Sequence, residues 1–266
     1  SDGASLYSTT DLATLVMRMK ENNPDRVIYL ADARQSMHFI QVFRCARKTG
    51  IVPDTTELVH IGFGTMNGKD GKPFKTRDGG VMRLEYLLKE IDDEMLNKIK
   101  ENQKEKENLN IDEAEAEQTA KTVALAAVKY GDLSNQASKD YIFDIDRFTS
   151  FEGNTGPYIL YTIVRIKSIL SKYEAKGGDI SALKDAIMPA VNAGQKNLML
   201  SLAKFNATIE SAYEESAPHK ICAYIYELAN AFNGFYHDTK ILSEENEELK
   251  KSYISLLVLT KEILEA

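Results

Sequence analysis

Two apolar runs separated by a single helical segment limit how the first part of this chain can fold. The run Arg26–Asp32, with the sequence RVIYLAD, is rich in β-branched and aromatic residues, which is typical of a strand covered on both faces. A helix is expected over about Ser36–Lys48, ending at Gly50, and a second strand over residues 58–62. The order strand, helix, strand predicts a β-α-β crossover, in which ligands bind at the carboxyl ends of the parallel strands.

Helical patterns dominate the chain from about Val81 onward. Leucine and isoleucine recur there at helical spacing, and a capping box formed by Asn110 and Glu113 predicts the start of a helix that Gly131 ends. Further helices are expected to begin at Gly156 and to cover residues 180–191, 195–215, 219–232 and 243–266. The second part of the chain is therefore expected to be an all-α bundle.

The composition is that of a globular protein. The 266 residues are 43% hydrophobic and can bury a substantial core, while no apolar run approaches membrane-spanning length. Cys45 and Cys222 lie far apart without a CxxC partner, so we expect both to be reduced and buried. The four histidines are scattered, and we expect no metal site. The net charge of −7 still allows contact with RNA, which requires only a local basic surface.

The loop after the second strand is the segment best suited to bind a polyphosphate. Residues 60–80 read HIGFGTMNGKDGKPFKTRDGG, in which glycines that permit close approach of the backbone alternate with lysine and arginine. The loop is not a P-loop, because Asp70 stands where that motif needs Ser or Thr, and Asn67 replaces the third glycine of a dinucleotide fingerprint. From composition alone, a nucleotide site and a mobile surface loop explain the segment about equally well.

Several blocks of sequence together resemble one family. GKDGKPFKTRDGG is similar to the signature loop of arginyl-tRNA synthetases, class I enzymes in which this segment stands in for the KMSK loop. Upstream, YSTTDLAT and IYLADARQSMHFIQVF resemble that family's amino-acid-binding segments. Downstream, VKYGDLSNQASKDYIFDIDRFTSFEGNTGPYILYTIVRI and CAYIYELANAFNGFYHDTKIL resemble its helical anticodon-binding domain. The blocks occur in the family's order across nearly the whole chain.

The resemblance implies an α/β plus all-α protein. Residues 1–110 would form part of a Rossmann-type nucleotide-binding catalytic domain with the KMSK-like loop and a helical connector, and residues 111–266 a helical-bundle anticodon-binding domain. The segment HIGFG is not the HIGH element of class I synthetases, because phenylalanine replaces its last histidine. Since no other match to HIGH occurs, the chain is expected to be a carboxy-terminal fragment that is inactive alone.

Tyr7, Asp11 and Gln35 correspond to positions that face the substrate side chain in the arginine enzymes. A carboxylate can accept two parallel hydrogen bonds from a guanidinium group, and a glutamine carbonyl can accept another. From local sequence alone, Asp11 or its neighbour would instead cap a helix that runs to about Lys20. His38 is expected to be a hydrogen-bonded, partly buried structural residue.

Lys75, Thr76 and Arg77 occupy the KMSK-like position. During adenylate formation, positive groups must meet the charge that builds up on the phosphate oxygens, and the resemblance implies Lys75 as the first candidate for this catalytic role. Lys69 and Lys72 are candidate helpers, with a merely solvated lysine as the alternative for each. Besides Lys75, the residues expected to bind ATP are His60, Gly62, Phe63 and Thr76.

Aromatic side chains in the helical part are candidates for stacking on unpaired anticodon bases. The residues expected to contact tRNA are Tyr158, Tyr161, Arg165 and Tyr236, and further candidates are Tyr224, Tyr226, Phe235 and Lys167. A tyrosine within an apolar helical stripe is more often a packing residue, so a place in the core is the alternative for most of these aromatics.

The expected function is that of a cytoplasmic arginine-tRNA ligase. Arginine and ATP, the latter accompanied by Mg²⁺, would give arginyl-adenylate, and the arginyl group would then pass to the terminal ribose of its tRNA. Arginine, ATP and this tRNA are the expected partners, without a membrane. The alternatives are a tRNA-binding module without catalysis and a class I synthetase for another amino acid. Cysteinyl synthetases share a related helical domain, but their zinc ligands have no counterpart in this sequence.

Overall fold

The computed structural model describes residues 3–73, 83–105, 112–183 and 186–266. The chain forms two compact units. The first consists of Ser1–Pro73 and Ala137–Ile142, and the second of Phe74–Gln136 and Phe143–Ala266. The expected combination of a small α/β part and a mostly helical part is confirmed.

The first unit is built on the predicted β-α-β crossover. Its elements are α1 (Tyr7–Asn22), β1 (Arg26–Asp32), α2 (Ser36–Lys48), β2 (Glu57–Phe63), β3 (Met66–Asn67) and β4 (Tyr141–Ile142). Strands β1 and β2 are parallel, in a register that places Arg26 opposite Glu57 and Asp32 opposite Phe63. The carboxyl ends of both strands therefore meet at Asp32 and Phe63, where the crossover rule places ligands.

The described residues cover strand β1 on one face only. Helices α1 and α2 bury one face in a small core that contains Leu15, Val27, Val42, Ala46 and Val52. On the other face Ile28 and Leu30 remain 47% and 67% exposed. The expectation of a strand covered on both faces is therefore wrong for this structure, because an apolar run shows only that a strand can be buried and not what buries it.

Helix α1 begins one turn earlier than the sequence suggests. The extended backbone of Leu6 precedes the helix, and its carbonyl oxygen accepts hydrogen bonds from the amides of Thr9 and Thr10 at 2.9 and 3.1 Å. Asp11 consequently lies inside the helix and does not cap it. The interpretation of Asp11 as an N-cap is wrong, and its carboxylate is left available for contacts with other elements.

A short segment from later in the chain joins the first unit. Strand β4 pairs in parallel with β3, and the amide of Gly64 donates to the carbonyl of Ala137 at 2.8 Å. A side chain on Gly64 would collide with this segment, since a Cβ atom there would lie 2.4 Å from the carbonyl carbon of Lys139. The close backbone approach requires glycine at this position.

The second unit is a helical bundle. Its helices are α3 (Leu84–Glu105), α4 (Glu113–Leu133), α5 (Ile145–Phe148), α6 (Gly156–Glu174), α7 (Ala193–Ala203), α8 (Phe205–Glu214), α9 (Pro218–Asp238) and α10 (Glu247–Glu265). Its main core draws on α4, α6, α7, α9 and α10, with Ile166, Leu198, Phe232 and Ile254 fully buried. Thr155 caps α6 by accepting a hydrogen bond from the amide of Tyr158, as expected for a helix opened by Gly156.

Three details of the bundle differ from the sequence-based expectation. Helix α4 runs on to Leu133, with Gly131 packed against the ring of Phe148, so Gly131 does not end it. Asp112 caps α4 by accepting from the amide of Ala114, whereas Asn110 lies outside the described residues. The expected helix 195–215 is divided into α7 and α8 at Lys204.

The expected helix over residues 180–191 is also wrong. Among the described residues of this stretch only a 3₁₀ turn, Ser181–Leu183, forms, and residues 186–190 are not helical. Contacts to α10 take the place of helical hydrogen bonds: Ser252 Oγ accepts from the amide of Met188 at 2.9 Å, and Ser255 Oγ donates to the carbonyl of Leu183. Pro189, which lacks an amide proton, further disfavours a helix.

Tyr130 provides a test of how the bundle is held together. Its hydroxyl oxygen lies 2.5 Å from Asn154 Oδ1 and 2.8 Å from the backbone oxygen of Cys222, so it links α4 to the start of α6 and to α9. Burial raises the pKa of Tyr130, so this hydroxyl stays protonated. Tyr130→Phe is expected to lower the free energy of unfolding by about 1 to 2 kcal/mol in chemical denaturation, because the buried carbonyl of Cys222 loses its donor.

Tyr86→Phe is the matched control, since Tyr86 is 57% exposed on α3. This change is expected to leave the unfolding free energy nearly unaltered. Equal stability of the Tyr130→Phe variant and the unaltered chain would show that the buried hydroxyl contributes nothing.

Candidate functional site

Asp11 and His38 join helices α1 and α2. His38 Nε2 lies 2.6 Å from Asp11 Oδ2, and both side chains are partly buried, at 30% and 28% exposure. His38 is thus hydrogen-bonded and partly buried, as expected, and its partner is the carboxylate expected to bind arginine. The two residues are 27 positions apart in the chain, so their contact depends on how α1 packs against α2.

Tyr7 and Gln35 lie close along the chain to this pair. Tyr7 is one helical turn before Asp11 on α1, and Gln35 ends the 3₁₀ turn Ala33–Gln35 immediately before α2, three residues before His38. Tyr7 is 87% exposed, and Gln35 is exposed too. Within the described part of the chain, no hydrogen bond joins either side chain to Asp11 or His38. The structure therefore brings Asp11 and His38 together and leaves Tyr7 and Gln35 open to solvent.

An aromatic cluster supports the Asp11–His38 contact from the sheet side. The ring of Phe39 lies 4.9 Å from that of Tyr29 on β1 and 4.7 Å from that of His60 on β2. Burial raises the pKa of Tyr29 against the lowering effect of Arg18, and the negative charge of Asp11 adds to the rise. The Tyr29 phenol therefore remains neutral beside the carboxylate.

The residues expected to bind ATP are at the end of β2. His60 is stacked on Phe39, and its Nε2 is buried with no hydrogen-bond partner among the described residues. A Cβ atom on Gly62 would lie 2.8 Å from the Cα of Ala33, so glycine is needed where β2 passes the turn after β1. Phe63, at the last position of the strand, is 42% exposed. Their roles toward ATP stay predictions.

Asp32 ends β1 at the same edge of the sheet. Arg34 binds its carboxylate with two nitrogen atoms, at 2.9 Å from Nε to Oδ1 and 2.6 Å from Nη2 to Oδ2. The hydrogen bonds from the Arg34 side chain and amide lower the pKa of Asp32 to about 2. This edge therefore carries a permanently ionised carboxylate whose charge is balanced within the turn.

The glycine-rich loop begins as a closed turn. Asn67 and Pro73 face each other across a bridge, the amide of Gly68 donates to the carbonyl of Lys72 at 2.8 Å, and Gly71 has a φ of +72°, which favours glycine. Lys69 and Lys72 are exposed on this turn. Lys75, Thr76 and Arg77 lie outside the described residues, so their part in catalysis and ATP binding stays a prediction.

All four residues expected to contact tRNA lie together on helices α6 and α9. The Arg165 guanidinium carbon is 4.8 Å from the ring centre of Tyr161 and 5.5 Å from that of Tyr236. Tyr161 and Tyr236 are 47% and 41% exposed. We refer to Tyr158, Tyr161, Arg165 and Tyr236 as the α6–α9 patch. The guanidinium group lies over both rings, and the exposed parts of the two tyrosines flank its positive charge.

Asn233, which was not among the candidate site residues, holds this patch in place. Its Oδ1 accepts from Arg165 Nη1, and its Nδ2 donates to the Tyr158 hydroxyl at 2.8 Å. The Tyr158 hydroxyl also bonds to Asn230 Oδ1 at 2.7 Å. A single asparagine on a helix has no sequence pattern that predicts such a contact, although its position three residues before Tyr236 places both on one side of α9.

The other aromatic candidates are packing residues. Tyr224 and Phe235 are 5% and 0% exposed, which fits the interpretation of core residues. Tyr226 packs against Tyr158, with ring centres 5.7 Å apart. Lys167 is paired with Glu265 at 2.6 Å, so its charge is already partly compensated.

Only one of the two cysteines is buried, whereas the sequence predicts burial for both. Cys222 is buried, and this burial raises the pKa of its thiol to about 11. Cys45 is exposed on α2, so the prediction that it is buried is wrong: the buried positions of this helix are Phe39, Val42 and Ala46.

Of the helices that the structure describes, none is long and apolar enough to cross a membrane.

Known proteins are similar in sequence to this chain. The family of class I (R) tRNA synthetases, catalytic domain, matches residues 1–145, and the DALR anticodon binding domain matches residues 159–266. An arginine–tRNA ligase of Alkaliphilus oremlandii is 56% identical over 265 residues, which cover 100% of this chain and 44% of that protein. An arginine–tRNA ligase of Francisella tularensis is 45% identical over 261 residues, which cover 97% of this chain and 43% of that protein.

A solved structure shows the same fold. The crystal structure of arginyl-tRNA synthetase from Plasmodium falciparum has a TM-score of 0.80 and 28% sequence identity, and the match covers 100% of this chain and 43% of that one. The chain thus spans less than half the length of the relatives it matches. Since the catalytic-domain family alone matches more than half of the chain, the chain belongs to the class I tRNA synthetases of the arginine type, the arginyl-tRNA synthetase family.

Proposed function

We propose that the protein to which this chain belongs is an arginine-tRNA ligase, and that the chain supplies part of its arginine site and its anticodon-binding surface. The observation that carries the proposal is the presence, on one chain, of a partly buried carboxylate at the family's arginine position and of the α6–α9 patch. The two features serve the two substrates that such an enzyme must join. The cytoplasm is the proposed compartment, because tRNA charging serves protein synthesis there.

In this proposal Asp11 recognises the guanidinium group of arginine. The carboxylate lies on α1 in a partly buried position, where its charge is screened less by solvent than at the surface. Gln35 would add a carbonyl acceptor, and Tyr7 would close over the side chain from the preceding turn of α1. A planar guanidinium group can donate two parallel hydrogen bonds to such acceptors, whereas the ammonium group of lysine has no fork of this kind.

Adenylate formation is assigned to the loop after β2. A carboxylate oxygen of arginine attacks the α-phosphorus of ATP, and the bond to the β-phosphate breaks as pyrophosphate leaves. Lys75 would stabilise the charge on the phosphate oxygens, with Lys69 and Lys72 as helpers, and Thr76, His60, Gly62 and Phe63 would border the nucleotide. The arginyl group then passes to a ribose hydroxyl of the tRNA, and AMP leaves.

ATP would bring Mg²⁺ to the site on its phosphate oxygens. Mg²⁺ usually keeps several water ligands and is bound by one or two carboxylates together with substrate phosphates. The described residues contain no group of three or more His, Cys, Asp or Glu side chains placed to hold a metal ion.

The α6–α9 patch is proposed to bind the anticodon loop. Tyr161 and Tyr236 can stack on unpaired bases, while Arg165 lies between their rings and can meet a phosphate. Tyr161→Ala is expected to weaken tRNA binding by about 1 to 3 kcal/mol, the usual cost of one lost base stack. Arg165→Ala should both weaken binding and reduce its dependence on salt concentration, because one cation that displaces counterions is lost.

Lys129→Ala is the matched control, since it removes one positive charge from an exposed position on α4. Fluorescence anisotropy with labelled tRNA, measured over a range of salt concentrations, compares the variants. If Tyr161→Ala, Arg165→Ala and Lys129→Ala bind equally well, the patch is not the RNA-binding surface.

The proposed activity is tested by pyrophosphate exchange. The full-length protein is incubated with labelled pyrophosphate, ATP, tRNA and each of the twenty amino acids in turn. Label is expected to enter ATP with arginine and with no other amino acid. Exchange that depends on a different amino acid would show that the family resemblance has misidentified the substrate, and no exchange with any amino acid would contradict ligase activity.

A tRNA-binding module without catalysis is the second candidate function. It is favoured by the α6–α9 patch, which lies on a helical unit with its own core. The isolated chain is expected to bind tRNA without charging it when arginine and ATP are added. Charged tRNA above background would exclude this candidate for the isolated chain.

A further inference from the structure

The contact between Asp11 and His38 has a geometry suited to orienting the carboxylate. His38 Nε2 approaches Asp11 Oδ2 at 2.6 Å, a distance typical of a strong, charge-assisted hydrogen bond. Because the imidazole engages Oδ2, the other oxygen, Oδ1, is the one that a second donor can reach without displacing His38. The pairing therefore fixes which side of the carboxylate is presented to a ligand.

His38 is itself held by the aromatic cluster. Its ring meets Phe39 edge-on, with centres 5.1 Å apart, and Phe39 is 5% exposed and stacked on His60. A side chain anchored to a packed cluster can hold its partner in one orientation at little further cost in conformational entropy. Asp11 alone, on the surface of α1, would be free to rotate about two side-chain bonds.

Charged and titratable groups lie near the Asp11–His38 pair on α1, β1 and β2. Arg18 lies two turns along α1, with its guanidinium carbon 5.0 Å from the ring centre of Tyr29 on β1. The Tyr29 phenol stays neutral. His60 on β2 stacks on Phe39, which also contacts the ring of His38. In these surroundings a neutral His38 leaves the negative charge of Asp11 available, whereas a protonated one would cancel it.

We propose that His38 is a positioning residue for the substrate: as a neutral imidazole it donates from Nε2 to Asp11 Oδ2, so that Oδ1 faces the guanidinium group of arginine. This inference rests on the proposed function. His38 acts through Asp11 and does not touch the reacting atoms, so its loss should affect arginine binding more than the rate of adenylation. Since one carboxylate oxygen is occupied by His38, a second N–H of the guanidinium fork would need another acceptor, the role proposed for the Gln35 carbonyl.

The test compares two substitutions in the full-length protein. His38→Leu removes the donor, while His38→Gln keeps an N–H donor in a side chain of similar reach. In arginine-dependent pyrophosphate exchange, His38→Leu is expected to raise the KM for arginine by about 10-fold or more and to change kcat by less than ~3-fold. His38→Gln should restore the KM to within ~3-fold of the unaltered protein.

His219→Leu is the matched control, because His219 is also a partly buried histidine that has an acidic neighbour, Glu215. It should leave both kinetic constants unchanged. An unaltered KM in His38→Leu, or a KM in His38→Gln as high as in His38→Leu, would overturn the positioning role. The unaltered protein separates the two proposals: if it shows no arginine-dependent exchange, the proposed function itself fails.

A measurement on the unaltered protein covers the case in which His38→Leu does not fold. Nitrogen NMR of ¹⁵N-histidine in the arginine complex is expected to show His38 protonated at Nε2 and unprotonated at Nδ1. Protonation of both nitrogen atoms in that complex would overturn the proposal, because the imidazolium would cancel the charge that arginine requires.

Discussion

Replacing Asp11 by asparagine in the full-length protein is expected to weaken arginine binding by about 2 to 5 kcal/mol, equivalent to ~30-fold to ~5,000-fold in affinity. Asparagine preserves the size of the side chain, but it removes the negative charge and exchanges one acceptor oxygen for a donor nitrogen. The guanidinium group of arginine would then be partly buried without its charged partner. Isothermal titration calorimetry with arginine measures the change directly.

Asp54→Asn serves as the control for the loss of one carboxylate from the first unit, because Asp54 is exposed between α2 and β2. It should leave arginine affinity unchanged. Thermal unfolding of both variants checks that the fold is kept. If Asp11→Asn binds arginine as tightly as the unaltered protein does, Asp11 does not belong to the arginine site.

Lys75→Ala is expected to lower the rate of adenylation by ~10²-fold or more and to change ATP binding much less. Lys75 would meet charge that develops only as pyrophosphate leaves, so its contribution appears mainly in the transition state. Single-turnover kinetics of arginyl-adenylate formation over a range of ATP concentrations separates the chemical rate from the affinity for ATP.

Lys72→Ala is the control from the same loop. Lys72 lies exposed on the turn between Asn67 and Pro73, and we expect a smaller effect on the rate. Weaker ATP binding with an unchanged chemical rate in Lys75→Ala would instead make Lys75 an anchor for the ground-state nucleotide.

Local sequence was sufficient to predict elements whose boundaries are marked by their own residues. Strand β1 and helix α2 begin and end as expected, and β2 extends the predicted strand by one residue at each end. Apolar periodicity and the glycine at Gly50 are local signals, and the backbone at Gly50 indeed has a positive φ of 69°. Such signals need no knowledge of the remaining chain.

Several of the errors concern features that depend on distant parts of the chain. Within residues 186–190 the amide of Met188 donates to Ser252 on α10, and the segment with Tyr141 pairs with β3, more than seventy residues earlier in the chain. Neither partner can be identified from the local pattern. Cys45 was misjudged for a related reason: residue type alone does not show which side of α2 faces the core.

The candidate site was predictable only with the family resemblance. Composition left the glycine-rich loop undecided, and local rules favoured Asp11 as a helix cap, which the structure excludes. Resemblance pointed to Asp11 and to an anticodon-binding role for the helical part, but it did not single out the base-reading residues and gave no role to the partners His38 and Asn233. Those partners follow from the packing of α1 against α2 and of α6 against α9, which only a three-dimensional structure provides.

Equilibrium binding of tRNA to the isolated chain tests most directly whether this part of the protein recognises tRNA. The helical unit has its own core and capped helices, so it is expected to fold without the rest of a longer protein. We predict that the tRNA for arginine binds at low salt, that binding weakens steadily as salt rises, and that a tRNA with a different anticodon loop binds less tightly. Absence of binding at low salt, or equal affinity for both tRNAs, would contradict the assignment of this chain as an anticodon-recognising part of an arginine-tRNA ligase.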